Sequence, residues 1–259
     1  MLRPDEDAAQ LARAAGERGA DALGMAGGDG SLGAVAAVAL EQDLPFVPVP
    51  FGTRNHFARD LGFDGDDPIG ALAAFRGPER RVDVGAVGER VFLNNVSLGL
   101  YASFVHDPAR KTRNRLLALA RLAPAALGRS RKPLALSLDA NGRREEHLAL
   151  IALVANNEYE MTSPAELGRR PRLDEGLLHA YVIGAVGRRS LVALLAKAAV
   201  GNVHEAHGWT EHAAPRLRFE AARPRLHAAV DGEAVLLEPP LTFEIRPRAL
   251  RVRTPPTRA

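Results

Sequence analysis

The sequence predicts an α/β domain followed by a mainly antiparallel β domain, and three observations carry that reading. Over the first 81 residues helical and strand-like stretches alternate, the order of a parallel sheet with right-handed crossovers. Two glycine turns, Gly27-Gly28-Asp29-Gly30-Ser31 and Gly52-Thr53, each stand between a strand-like stretch and a helical one. From residue 82 onward the pattern changes to short strands set off by turn residues.

Residues 5–18 read as a helix, with Ala8, Leu11, Ala12 and Ala15 on one stripe and Gly19 as the stop. A short buried strand is expected over 21–26 and a helix over 31–42. Phe46-Val47-Pro48-Val49-Pro50 is extended, because each proline disfavours helix in the residue before it. A helix over 54–61 follows the Gly52-Thr53 turn. Asp67-Pro68 is a helix start, with a cap and then proline in first position, and Gly77-Pro78 ends that helix. Strands are expected at 82–87 and 90–96, joined at Gly88-Glu89. Asn141-Gly142 is a hairpin signal between strands 133–139 and 143–155. Further strands fall at 177–183, 215–221, 225–230 and 241–246, with a helix inserted at 188–200. The boundary is placed near residue 82.

Composition excludes several classes. No apolar run approaches the roughly 18 residues that span a bilayer, and the start lacks a signal-peptide layout. There is no cysteine, so no disulfide, thiolate nucleophile or Cys-ligated metal is available. A cytoplasmic setting fits. The formal charge is +3 and nearly all cations are Arg, with Lys only at 111, 132 and 197. Aromatic residues are 5% and are not interleaved with Arg, which argues against a nucleic-acid partner. Between Arg110 and Lys132 stand eight basic residues and no acidic one, among them Leu116, Leu117, Leu119 and Leu122 on an expected helix near 112–127. Such a helix can lie on an anionic membrane surface or pack by its leucines onto a sheet.

The chemistry concentrates at the first glycine turn. A strand, a glycine turn and a helix aim backbone N–H groups outward at a helix N-terminus, a ready place for phosphate. Asp29 is the odd member, because a carboxylate repels phosphate unless a cation stands between. Mg²⁺ bridging Asp29 to a nucleotide phosphate reconciles the two. A plain strand-to-helix turn with Asp29 as a cap explains the same letters. Thr53 and Asn55 of the second turn offer a hydroxyl and an amide to phosphate or base, or else cap the next helix. Both turns follow strands, and parallel sheets bind ligands at the carboxyl ends of their strands. Asp231-Gly232-Glu233 is an acidic hairpin tip that needs no function on its own.

Taken in order, Gly27-Gly28-Asp29-Gly30-Ser31, Pro50-Phe51-Gly52-Thr53-Arg54-Asn55-His56-Phe57-Ala58 and Asp231-Gly232-Glu233 resemble the diacylglycerol kinase catalytic-domain superfamily, which includes bacterial lipid kinases and sphingosine kinases. The likeness extends to Val82-Asp83-Val84-Gly85, to Phe92-Leu93-Asn94-Asn95-Val96-Ser97-Leu98-Gly99 and to Leu173-Asp174-Glu175-Gly176-Leu177-Leu178. The resemblance implies an NAD kinase/diacylglycerol kinase-like fold. A nucleotide-binding α/β domain, here 1–81 completed by a returning strand in 250–259, would precede an antiparallel β-sandwich substrate domain at 82–249. It implies ATP-dependent phosphorylation of a lipid hydroxyl with Mg²⁺. Gly27, Gly28, Asp29, Gly30, Ser31, Leu32, Gly33, Gly52, Thr53 and Asn55 would hold ATP phosphates. Asp231 would be the general base, and Glu233 would orient it or a metal-bound water. A structural metal in the second domain would take Glu175 with backbone carbonyls of Arg172 and Leu177.

Three departures stand out. Family members usually carry an additional strand and helix with an Asn-Pro motif before the segment seen here. His56 replaces a common Asp, and Glu175 replaces the usual Asp at the metal position. NAD kinases and phosphofructokinases share a Gly-Gly-Asp-Gly turn, so a soluble alcohol is the alternative acceptor. A non-catalytic nucleotide- or lipid-binding protein is the alternative of another class.

Overall fold

A computed structural model describes residues 6–52, 55–99, 133–160, 169–184 and 208–256, with isolated positions between 187 and 197. The chain divides into two units: Met1–Val84 with Leu173–Gly176 and Arg246–Ala259, and Gly85–Arg172 with Leu177–Ile245.

In the first unit, α1 (Ala8–Glu17) starts at Asp7, whose carboxylate accepts the N–H groups of Ala9 and Gln10 at 2.8 and 3.3 Å. Strand β1 (Leu23–Gly27) leads into α2 (Asp29–Glu41), then β2 (Phe46–Pro50) and the short α3 (His56–Asp60). Strand β3 (Glu79–Val87) and the long β13 (Leu241–Arg253) run on into the second unit. Strands β1 and β2 pair in parallel, Leu23 opposite Phe46 and Gly27 opposite Pro50. On the other side of β2, Val252 of β13 pairs with Phe46, also in parallel. Helix α2 buries Leu32, Val35, Ala36, Val38 and Ala39.

Two prolines inside a central strand need a reason, because proline has no N–H to give the ladder. The odd-numbered residues of this segment face β1, as the Phe51 N–H to Gly27 oxygen bond shows. Pro48 and Pro50 therefore face β13, and that ladder pairs β2 only at Phe46. The missing donors fall where no acceptor waits.

Three elements differ from expectation. Strand β1 begins at Leu23 and buries only that residue, because it lies at the sheet's edge. Helix α2 begins at Asp29, since Gly28 already serves as its extended cap and its oxygen accepts the Leu32 N–H at 3.1 Å. The helix expected from Asp67 is a 3₁₀ stretch, Gly70–Arg76, with Asp67 accepting the Gly70 N–H at 2.8 Å.

The second unit is antiparallel throughout its described ladders. Strand order runs β10 (Arg216–Ala221), β6 (Leu134–Ala140), β7 (Arg143–Asn156), β5 (Asn95–Gly99), β11 (Leu226–Val230) and β12 (Glu233–Leu237). Strand β8 (Leu178–Gly184) pairs the far half of β7 and then β9 (Trp209–Ala214). Strand β4 (Arg90–Phe92) closes a hairpin on the end of β3. Asn141 and Gly142 both have positive φ, 54° and 74°, the geometry of a type I′ hairpin turn between β6 and β7. The core joins Phe92, Leu98, Leu136, Leu138, Phe219 and Phe243, each at most 2% exposed.

Here too the outcome refines expectation. The single strand expected over 90–96 is two, β4 and β5, broken at Leu93-Asn94. Strands β9 and β12 lacked a clear signal because only the last residue of each is buried. The helix expected near 112–127, and most of that at 188–200, lie outside the described residues.

Candidate functional site

In the first unit the two glycine turns meet. A Cβ built on Gly52 would lie 2.4 Å from the Gly28 Cα, closer than atoms pack, so only glycine allows this approach. Gly27 ends β1, Gly28 caps α2, and Asp29, Gly30 and Ser31 form its first turn. First-turn N–H groups of a helix have no acceptor within the helix, and they carry its positive end. Leu32 is fully buried and Gly33 half-buried, so Leu32 contributes backbone rather than side chain to this surface.

The side chains around the turns hold them in shape. Asp29 accepts the N–H groups of His56 and Phe57 at 3.3 and 3.2 Å and so ties the first turn of α2 to α3. Asn55, with φ at 50° and 4% exposure, accepts the Gly52 N–H at 2.8 Å and donates to the Gly52 oxygen at 3.1 Å. Its amide thus closes its own turn. Thr53 lies outside the described residues.

In the second unit, Asp231 and Gly232 form the two-residue turn between β11 and β12, with φ at 47° and 86°. Asp231 is 8% exposed. Its Oδ2 accepts the Leu93 N–H at 2.7 Å, and its Oδ1 accepts those of Asn94 and Asn95 at 2.8 and 3.0 Å. The Asp231 N–H returns to the Asn95 oxygen at 2.9 Å. This carboxylate is the reason for the break between β4 and β5: three consecutive N–H groups turn toward it instead of joining a ladder. The backbone therefore supplies the orientation that sequence reading gave to Glu233, whose side chain is exposed at the start of β12.

Behind that bend lies a residue that sequence reading missed. Arg170 is 2% exposed. It donates to the Leu93 and Asn156 oxygens, and to the Asn94 Oδ1 at 2.7 Å. Asn156 donates to the same Leu93 oxygen at 3.0 Å. In the run Arg169-Arg170-Pro171-Arg172 nothing local separates one buried guanidinium from its solvated neighbours.

The loop expected to hold a structural metal is anchored by Asp83, which is 1% exposed. Asp83 accepts the N–H groups of Gly176 and Arg248, each at 2.7 Å, and donates its own N–H to the Leu173 oxygen. Glu175 is half-buried between these anchors, Arg172 is exposed, and the Leu177 oxygen already accepts the Asn157 N–H at 3.1 Å. A carboxylate and backbone carbonyls are oxygen donors, the ligand type that Mg²⁺ or Ca²⁺ takes.

Comparison with known proteins agrees with these motifs. The family described as "Diacylglycerol kinase catalytic domain" matches residues 2–87. The family described as "YegS C-terminal NAD kinase beta sandwich-like domain" matches residues 95–254. A protein of Pseudomonas fluorescens named "Probable lipid kinase YegS-like" is 31% identical over 252 residues, 96% of this chain and 82% of its own. A "Diacylglycerol kinase" of Bacillus subtilis is 32% identical over 117 residues, 44% of this chain and 39% of its own. A crystal structure of a diacylglycerol kinase from Bacillus anthracis superposes with a TM-score of 0.68 at 15% identity, covering 98% of this chain and 83% of that one. That last likeness concerns the fold: an α/β domain followed by a β-sandwich.

Proposed function

The chain belongs to the diacylglycerol kinase catalytic-domain superfamily, and from that membership we propose that it transfers the γ-phosphoryl group of ATP to a hydroxyl of diacylglycerol or a related lipid. The observation that carries this reading is the contact of the Gly28 and Gly52 backbones, which presents two glycine turns as one surface for phosphate. The segment Gly27 to Gly33, with Gly52, Thr53 and Asn55, holds the phosphates. Asp29 keeps the turns in register and stands beside the place where a phosphate-bound Mg²⁺ would sit. Mg²⁺ supplies charge neutralisation on the phosphates when bound.

Asp231 is the base. As the lipid oxygen bonds to phosphorus and the bond to the ADP oxygen breaks, the hydroxyl proton passes to the Asp231 carboxylate. Glu175, with the Arg172 and Leu177 carbonyls, is assigned to a structural divalent ion. The basic segment 110–132 is assigned to contact with the anionic inner face of the membrane, where a cytoplasmic enzyme meets its lipid.

A second reading rests on the same three bonds. They give Asp231 a structural duty sufficient to explain its presence in a non-catalytic nucleotide- or lipid-binding protein. Labelled-phosphate transfer from ATP to diacylglycerol, sphingosine and related alcohols in mixed micelles separates the two. The kinase reading expects a phosphorylated lipid and its loss in Asp231→Asn with ATP binding retained. Binding by calorimetry with no transfer to any acceptor would sink it.

A further inference from the structure

Three side chains of the second unit form a group that phosphoryl transfer leaves unused. Glu145 and His147 are alternate residues of β7, so they share a face, the one that carries Ala149 into the core. His212 stands on β9, two residues before the fully buried Ala214 and on the same face. The two imidazole rings meet edge-on with centroids 5.9 Å apart. Glu145 Oε2 is 3.8 Å from His147 Nε2 and 3.6 Å from His212 Nε2, beyond hydrogen-bond length. Both Nε2 atoms are buried and have no hydrogen-bond partner among the described residues.

Buried polar nitrogens are normally satisfied, so this pair calls for an occupant. Donor atoms of the three residues lie within 4.8 Å of one another. Ligands at about 2.1 Å around a tetrahedral ion stand roughly 3.4 Å apart, so small side-chain rotations close the set.

We propose that Glu145, His147 and His212 bind a divalent transition-metal ion of the Zn²⁺ type and that the ion clamps β7 to β9. Two imidazoles and a carboxylate suit Zn²⁺, Co²⁺ or Ni²⁺, whereas Mg²⁺ takes oxygen ligands. The site therefore does not compete for the Mg²⁺ of phosphoryl transfer. The Glu145 side chain is 47% exposed, so an ion enters from solvent and water completes its shell.

The test uses the tag-free full chain, stripped with chelator and titrated with ZnCl₂ by calorimetry. With MgCl₂ held in excess throughout, the expected result is one equivalent of Zn²⁺ bound saturably and a further rise in melting temperature. Co²⁺ should give the visible bands of a nitrogen-liganded site. His147→Gln and His212→Gln should each weaken Zn²⁺ binding at least about tenfold. Circular dichroism must show both variants folded; otherwise Glu145→Gln, at an exposed position, carries the comparison. Absence of saturable binding to the wild type would overturn the proposal, as would unchanged affinity in the folded variants.

Discussion

Asp231 is a buried carboxylate that accepts three consecutive backbone N–H groups, so its charge and its geometry are inseparable. Asp231→Asn puts an amide NH₂ against at least one of those N–H groups and leaves a buried donor unpaired. Urea unfolding should show a loss of about 1–3 kcal/mol, alongside the loss of phosphoryl transfer. A variant that lost activity with no loss of stability would contradict the bonding described for Asp231. The glycines of the first unit make a paired prediction. Gly52→Ala drives a Cβ to 2.4 Å from the Gly28 Cα, so the turns must separate and ATP binding should fall at least about tenfold. In Gly28→Ala the nearest contact is 3.6 Å, an ordinary distance, so folding should be unchanged while the new methyl stands where phosphate approaches. Calorimetric titration of each with ATP, beside a melting curve, separates the two effects. The glycines at these positions were legible in the sequence, because freedom from a side chain is a local property. The role of Asn55 was not, since a cap, a ligand and a turn lock use the same amide.

Among the elements, hairpins were the most legible. Asn141-Gly142 adopts positive φ at both positions with little strain, so the turn between β6 and β7 follows from two letters. The break between β4 and β5 was illegible, because its cause lies 138 positions away in Asp231. Strand β3 is tied to the end of β13 by a two-point ion pair: Arg251 Nε and Nη2 donate to Glu79 Oε1 and Oε2 at 2.6 and 3.1 Å. The hydrogen bond from Arg251, and then its charge, hold the Glu79 pKa below its usual value. A carboxylate whose folded pKa is depressed stabilises the fold above its unfolded pKa. That contribution is lost as pH falls through the folded value. The denaturation midpoint of the wild type should therefore exceed that of Glu79→Gln above about pH 5, and the gap should close toward about pH 3. A gap that stayed constant over that range would show that the pair contributes no charge-dependent stability.

At the scale of the molecule, the chain carries a formal charge of +3 with its densest positive run between Arg110 and Lys132. No helix among the described residues is long and apolar enough to cross a membrane. If the basic run meets an anionic surface, the chain should cosediment with vesicles containing phosphatidylserine and not with neutral ones. Binding should weaken as salt shortens the screening length from about 10 Å at 0.1 M to about 3 Å at 1 M. Changing Arg113, Arg115 and Arg121 together to Glu should abolish it without altering ATP binding. Equal sedimentation with neutral vesicles would remove the electrostatic account.

Local chemistry in the sequence determined the change from α/β to antiparallel β, the glycine turns at strand ends and the tight hairpins. Each depends on neighbours a few residues apart, and periodicity and backbone freedom record those directly. Tertiary structure alone decided what the carboxylates of Asp29, Asp83 and Asp231 bind, that Arg170 is buried, and that His147 meets His212. Those pairings join distant segments, and whether a polar group is buried with a partner depends on which segments fold together, a property no short stretch of sequence carries.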